Sequence, residues 1–88
     1  MNLNDFKIAT SGMDGQRLIL LSGAQVATMI EVKAEQVVLQ TVQGMAPLSL
    51  AELRLCPAND TLPLFFLSTS GLVAVYGYRV IENNLQLG

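Results

Sequence analysis

The chain has 88 residues, 51% of them hydrophobic and 14% charged, with a formal net charge of −2 at pH 7 and a pI near 4.7. It contains no His, no Trp and one Cys. The commonest general acid–base residue and metal ligand is therefore absent, and no disulfide can close within the chain.

This length fits one domain, 1–88. Globular chains are about 25% charged, and a domain this small buries only about 60% of the surface its unfolded chain exposes. The apolar excess is more than one small core can hide, which predicts a homo-oligomer, a dimer before other states. The basic residues Lys7, Arg17, Lys33, Arg54 and Arg79 are dispersed along an acidic chain. That footprint argues against nucleic-acid binding, which depends on neutralised phosphates. The opening MNLNDFKIATSG lacks a basic region followed by an apolar one, so it does not read as a signal peptide. The stretch Leu18–Ile30 is interrupted by Ser22, Gly23, Gln25 and Thr28 and is too short to span a bilayer. A cytoplasmic protein with no membrane role is the expectation.

In chain order, Ser11-Gly12-Met13-Asp14-Gly15 is the first loop, with Asp14-Gly15 as a turn pair and positive φ expected at Gly15. Arg17–Leu21 reads as a short strand, Ser22-Gly23 as a turn, and Val26–Lys33 as a second strand rich in β-branched residues. A weak turn at Ala34-Glu35-Gln36 leads to a third strand, Val37–Gln43, closed by Gly44. Val26, Ile30, Ala34, Val37 and Thr41 also fall at helical spacing, so the alternative is an α+β fold with a central helix at about 24–43. The β-branched residues Val26, Thr28, Ile30, Val32, Val37 and Val38 favour the two strands. Ser49 and Glu52 have capping-box spacing, which predicts one helical turn near 48–53. Pro57–Thr61 is a surface loop by composition.

Leu62–Leu67 is apolar and contains Pro63, so this strand begins at the proline or lies at an edge. Ser68-Thr69-Ser70-Gly71 is a hairpin loop. Leu72–Ile81 is the longest strand candidate, with Leu72, Ala74, Tyr76, Tyr78 and Val80 on one face and Val73, Val75, Gly77, Arg79 and Ile81 on the other. Both faces are largely apolar, so one is assigned to the core and one to a partner. Glu82-Asn83-Asn84 ends the strand, leaving Leu85–Gly88 as a tail.

This order predicts a mainly β fold, a small, strongly bent antiparallel sheet or barrel with one short helical turn. The stretch from Arg17 to Leu55 resembles the Sm-like and SH3-like small barrels, in which a strand–turn–strand–strand unit precedes a short segment of the type Pro47-Leu48-Ser49-Leu50-Ala51-Glu52-Leu53. It lacks the Asp/Asn-rich turn and the Arg-Gly step that Sm proteins use around RNA, so the resemblance implies a topology and no site residues.

Residues with catalytic potential are few. Glu31 and Glu35 could approach as a pair on a helix, but two solvated charges are the ordinary state of such residues. No His stands ready to activate a Ser, and Cys56 reads as a buried structural thiol. Gly12-Met13-Asp14-Gly15 lacks the Gly-Lys-Ser/Thr ending of a phosphate loop. The expectation is a non-enzymatic binding or interaction protein with no metal or cofactor. It would act through an apolar oligomer interface or groove, taking a protein partner or a small apolar ligand. Phe65, Phe66, Val73, Val75, Tyr76, Tyr78 and Arg79 are the interface candidates. Two other classes stay open. One is a small-barrel oligomer that gathers Arg17 or Arg54 around nucleic acid. The other is an enzyme working through Glu31, Glu52 or Asp14.

Overall fold

A computed structural model describes residues 1–21 and 25–87; the expected Ser22-Gly23 turn lies outside the described residues. The elements in chain order are α1 (Leu3–Ala9), β1 (Ile19–Leu20), β2 (Met29–Val32), β3 (Val37–Gln40), α2 (Leu50–Arg54), β4 (Leu64–Ser68), β5 (Gly71–Ala74), β6 (Tyr78–Ile81) and β7 (Asn84–Leu87). The fold is mainly β. Strands β2 and β3 occupy the central region, in place of the alternative helix at 24–43, and the chain reverses between them where Lys33 N donates to Gln36 O at 2.9 Å.

The strands form two sheets, ordered β1-β7-β6 and β2-β3-β4-β5. The expected antiparallel pairing holds for β2/β3, β4/β5 and β6/β7, but β1/β7 and β3/β4 are parallel, so both sheets are mixed. Connectivity is the reason. The long segment 41–63, which contains α2, returns the chain to the start of β3, and β4 therefore enters parallel to it.

Both helices begin with the same device. At α1 the Asn2 side chain accepts from Asp5 N at 2.7 Å while the Asp5 carboxylate accepts from Asn2 N at 3.3 Å. At α2 Ser49 Oγ accepts from Glu52 N at 3.2 Å and the Glu52 carboxylate accepts from Ser49 N at 3.3 Å. Each helix then buries two apolar residues three apart, Leu3 with Phe6 and Leu50 with Leu53. Those side chains meet Ile19, Val37, Leu39, Leu64, Phe66, Val75, Leu85 and Leu87 in one core.

Three sequence expectations are corrected. Leu72–Ile81 is not one strand: it divides into β5 and β6, which belong to different sheets. The break follows from packing. Val75 is buried in the core and its N–H donates to Leu64 O at 2.9 Å, after which Tyr76-Gly77 carries the chain across to the other sheet. Leu85–Leu87 is no tail: β7 is the middle strand of its sheet, paired on both sides, with Leu85 and Leu87 buried. Gly15 is not at positive φ, which among the described glycines belongs to Gly44 and Gly71. A Cβ on Gly15 would stand 2.9 Å from Ala51 Cβ, so glycine is required there for close approach to α2. Pro63 does precede its strand, as expected, and that strand lies inside the sheet.

Candidate functional site

Register sorts the side chains of the four-stranded sheet into two faces. The core face carries Val37 beside Leu64, Leu39 beside Phe66, and Phe66 beside Val73. The outer face carries an unbroken row across all four strands, Glu31, Val38, Phe65 and Ala74. Leu67 pairs with Leu72 on that same face, one step towards the hairpin. Val38, on this face, is buried and stands apart from the core cluster.

The outer face is graded. On the β2–β3 side the Glu31 carboxylate accepts from the Gln40 amide and lies 3.6 Å from Lys33 Nζ. On the β4–β5 side there is no charge: Phe65, Ala74, Leu67 and Leu72 form an apolar block. Leu67 is 42% and Leu72 48% exposed. The bond from Val75 N to Leu64 O fixes the phase of the β4/β5 ladder, so the N–H and C=O groups of Leu72 and Ala74 point away from β4 to a free edge. The edges at β2 and β6 carry Glu31 and Arg79, whereas β5, Gly-Leu-Val-Ala, carries no guarding charge.

On the core side of the sheet, a cleft of about 830 Å³ opens between the two layers. Phe66, Val73, Tyr78 and Leu87 supply its apolar lining, with Ser68, Ser70, Tyr76, Gly77, Arg79 and Gln86 completing it. Tyr78 is anchored: its hydroxyl donates to Ala9 O at 3.0 Å and its ring meets Phe6 edge-on at a centroid distance of 6.0 Å. Tyr76 is 82% exposed.

The sequence-derived candidates therefore part company. Phe66, Val73, Tyr76, Tyr78 and Arg79 all border the cleft, with Arg79 beside Gln86 on the face of β6 opposite Tyr78, as strand alternation implied. Phe65 belongs to the outer block. Phe66 and Val75 are buried within the protomer, which removes Val75 from any surface and leaves Phe66 as cleft floor only. Leu67 and Leu72 are outside the sequence-derived candidates; the Ser68–Gly71 loop fixes the register that pairs them on the outer face.

The residues with catalytic potential each have a local structural role. Glu52 caps α2, Asp14 Oδ1 accepts from Gln16 N at 2.9 Å, and Glu31 holds Gln40. Arg54 Nη2 donates to Thr10 O and Met13 O, so that guanidinium is already engaged. Arg17 lines a smaller hollow of about 260 Å³ with Asp14, Gln16, Asn83 and Asn84. Cys56 is buried. Among the described residues no group of three or more His, Cys, Asp or Glu side chains is placed to hold a metal ion, and no helix is long and apolar enough to cross a membrane. No family model, no curated protein and no solved structure matches the chain.

Proposed function

We propose that this chain is a non-enzymatic interaction protein that works as a homodimer, two copies packing the β4–β5 halves of their outer faces against each other. One observation carries this reading: Phe65, Leu67, Leu72 and Ala74 form an uncharged apolar block on the outer sheet face, with Leu67 42% and Leu72 48% exposed. A neutral patch can meet its own copy across a two-fold axis without like-charge repulsion. The cross-strand pairs Phe65/Ala74 and Leu67/Leu72 occupy non-hydrogen-bonded positions, where side chains approach closely and present a continuous surface. The structural roles of Glu31, Glu52 and Asp14 support association over catalysis as the protein's business.

Light scattering behind size exclusion, run over a dilution series, tests the proposal. The parental chain is expected at dimer mass and Leu67→Glu and Leu72→Glu at monomer mass, because each copy would bury an unpaired carboxylate. Both positions lie outside the core, so circular dichroism of the variants should match the parent. A parental monomer at every concentration, or a folded variant that keeps dimer mass, overturns the assignment.

A further inference from the structure

We infer that the free edge of β5 takes up an extended peptide as an added strand, and that the cleft beside this edge receives one apolar side chain of that peptide. The inference rests on the reading of the chain as an interaction protein and gives it a partner. It uses the edge of β5, not the outer face on which the dimer is proposed.

The backbone supplies the first argument. β5 ends its sheet, and the phase of the ladder turns the N–H and C=O groups of Leu72 and Ala74 away from β4. Among the described residues nothing in the chain bonds to these groups. Donors and acceptors repeating every second residue along an edge are the pattern that another extended strand completes. The edge also lacks the usual guards, since Gly71-Leu72-Val73-Ala74 holds no charge and no proline.

The cleft adds selectivity to this ladder. Its lining follows the length of β5, with Ser68 and Ser70 at the hairpin end, Val73 between, and Tyr76 and Gly77 at the crossing to the other sheet. Phe66, Val73, Tyr78 and Leu87 all turn to the core side, so the floor is apolar. In a strand added antiparallel to β5, the residues opposite Leu72 and Ala74 exchange hydrogen bonds with the edge. The residue between them lies opposite Val73 and shares its face, so its side chain is directed to the cleft. The sequence read is one apolar residue between two that are recognised through backbone alone. A second copy fits this edge less well. Two β5 strands paired about a two-fold axis through Val73 would set Val73 against its own equivalent, a side chain already packed on its own core and unable to fill a second cleft. A free peptide brings a side chain with no prior engagement.

Amide-resolved NMR tests the inference. In the free protein the amides of Leu72 and Ala74 should exchange with deuterium rapidly, and those of Val73 and Val75, which face β4, slowly. The probe is an acetylated and amidated peptide of threonines with a central leucine and a lysine at each end. It should shift the Leu72 and Ala74 amides saturably and slow their exchange. The same peptide N-methylated at the two residues flanking the leucine should not bind, and aspartate in place of the leucine should weaken it. Ala74→Pro removes one edge N–H without touching the ladder to β4, and should weaken the probe by about fivefold or more, the worth of one hydrogen bond. Should that variant not fold, the N-methylated peptide decides alone. Leu67→Glu should bind the probe as the parent does, which separates this edge from the dimer face. Absence of a saturable shift at Leu72 and Ala74, equal binding of the N-methylated peptide, or loss of binding in folded Leu67→Glu would each overturn the inference. So would protection of both amides in the free protein that Ala74→Pro removes together with dimer mass, since a second copy would then hold the edge.

Discussion

Gly15→Ala tests the packing of the first loop on α2. The added methyl would lie 2.9 Å from Ala51 Cβ, 3.6 Å from its Cα and 3.7 Å from its N. Carbon atoms in contact prefer about 3.5–4.0 Å, so the methyl group must displace the loop or the helix. Neither moves freely. Ala51 N donates to Gly15 O at 2.9 Å and Leu50 N to Arg17 O at 2.8 Å, and these bonds strap the two segments together. Overpacking of this kind costs about 1–3 kcal/mol. Loss of glycine freedom in the unfolded chain returns about 0.4–1 kcal/mol. The net expectation is a loss of about 1–2 kcal/mol, a fall in Tm on the order of 5–15 °C for a domain this size. Ala51→Gly alone should cost about 0.5–1 kcal/mol from the helix. The double variant should recover most of the Gly15→Ala loss, because the colliding methyl is gone. Thermal melts by circular dichroism at one fixed protein concentration give the cycle; fixing concentration removes any contribution from self-association. Gly15→Ala as stable as the parent, or losses that simply add, would refute the close-approach explanation.

Two further substitutions address local devices. Ser49→Ala removes the acceptor for Glu52 N and the partner of the Glu52 carboxylate, and should lower stability by about 1 kcal/mol in denaturant titration; an unchanged midpoint would mean the cap is dispensable. Glu82 sits at φ 55° in the β6–β7 turn, a conformation that favours glycine or asparagine. Glu82→Gly and Glu82→Asn should therefore both stabilise the fold, Gly by on the order of 1 kcal/mol, read as a raised melting temperature, and a decrease in both would show that the turn carries no strain.

What was legible in the chain was whatever a few neighbouring residues decide. Ser49 and Glu52 announce α2, and the pair Phe65-Phe66 divides as alternation demands, Phe66 to the core and Phe65 to the outer face. The Ser68–Gly71 loop closes β4 on β5 where its composition places it. The same capping logic was present at Asn2 and Asp5 and would have revealed α1. Parallel pairing was not legible, because β3 meets β4 and β1 meets β7 only after long returns of the chain. No local pattern encodes which of two sheets a strand will join.

The division of Leu72–Ile81 shows why this matters for the site. Alternation assigns Tyr76 and Tyr78 to one face and Arg79 to the other, which holds only while the strand stays straight. Val75 drops into the core, Tyr76-Gly77 crosses between layers, and the parity count restarts in β6. Tyr76 therefore escapes the count, while Tyr78 and Arg79, both within β6, still alternate: Tyr78 turns to the core with Leu87, and Arg79 lies beside Gln86 on the other face. The apolar character of both strand faces has the same cause. One long strand would have needed a core on one side and a partner on the other. Two short strands in two sheets instead turn Val73, Val75 and Tyr78 inward, and leave Leu72 facing outward beside Leu67. Leu67 and Leu72 thus stand side by side as exposed apolar residues on the β4–β5 face, where Leu67→Glu and Leu72→Glu test whether that pair is an interface.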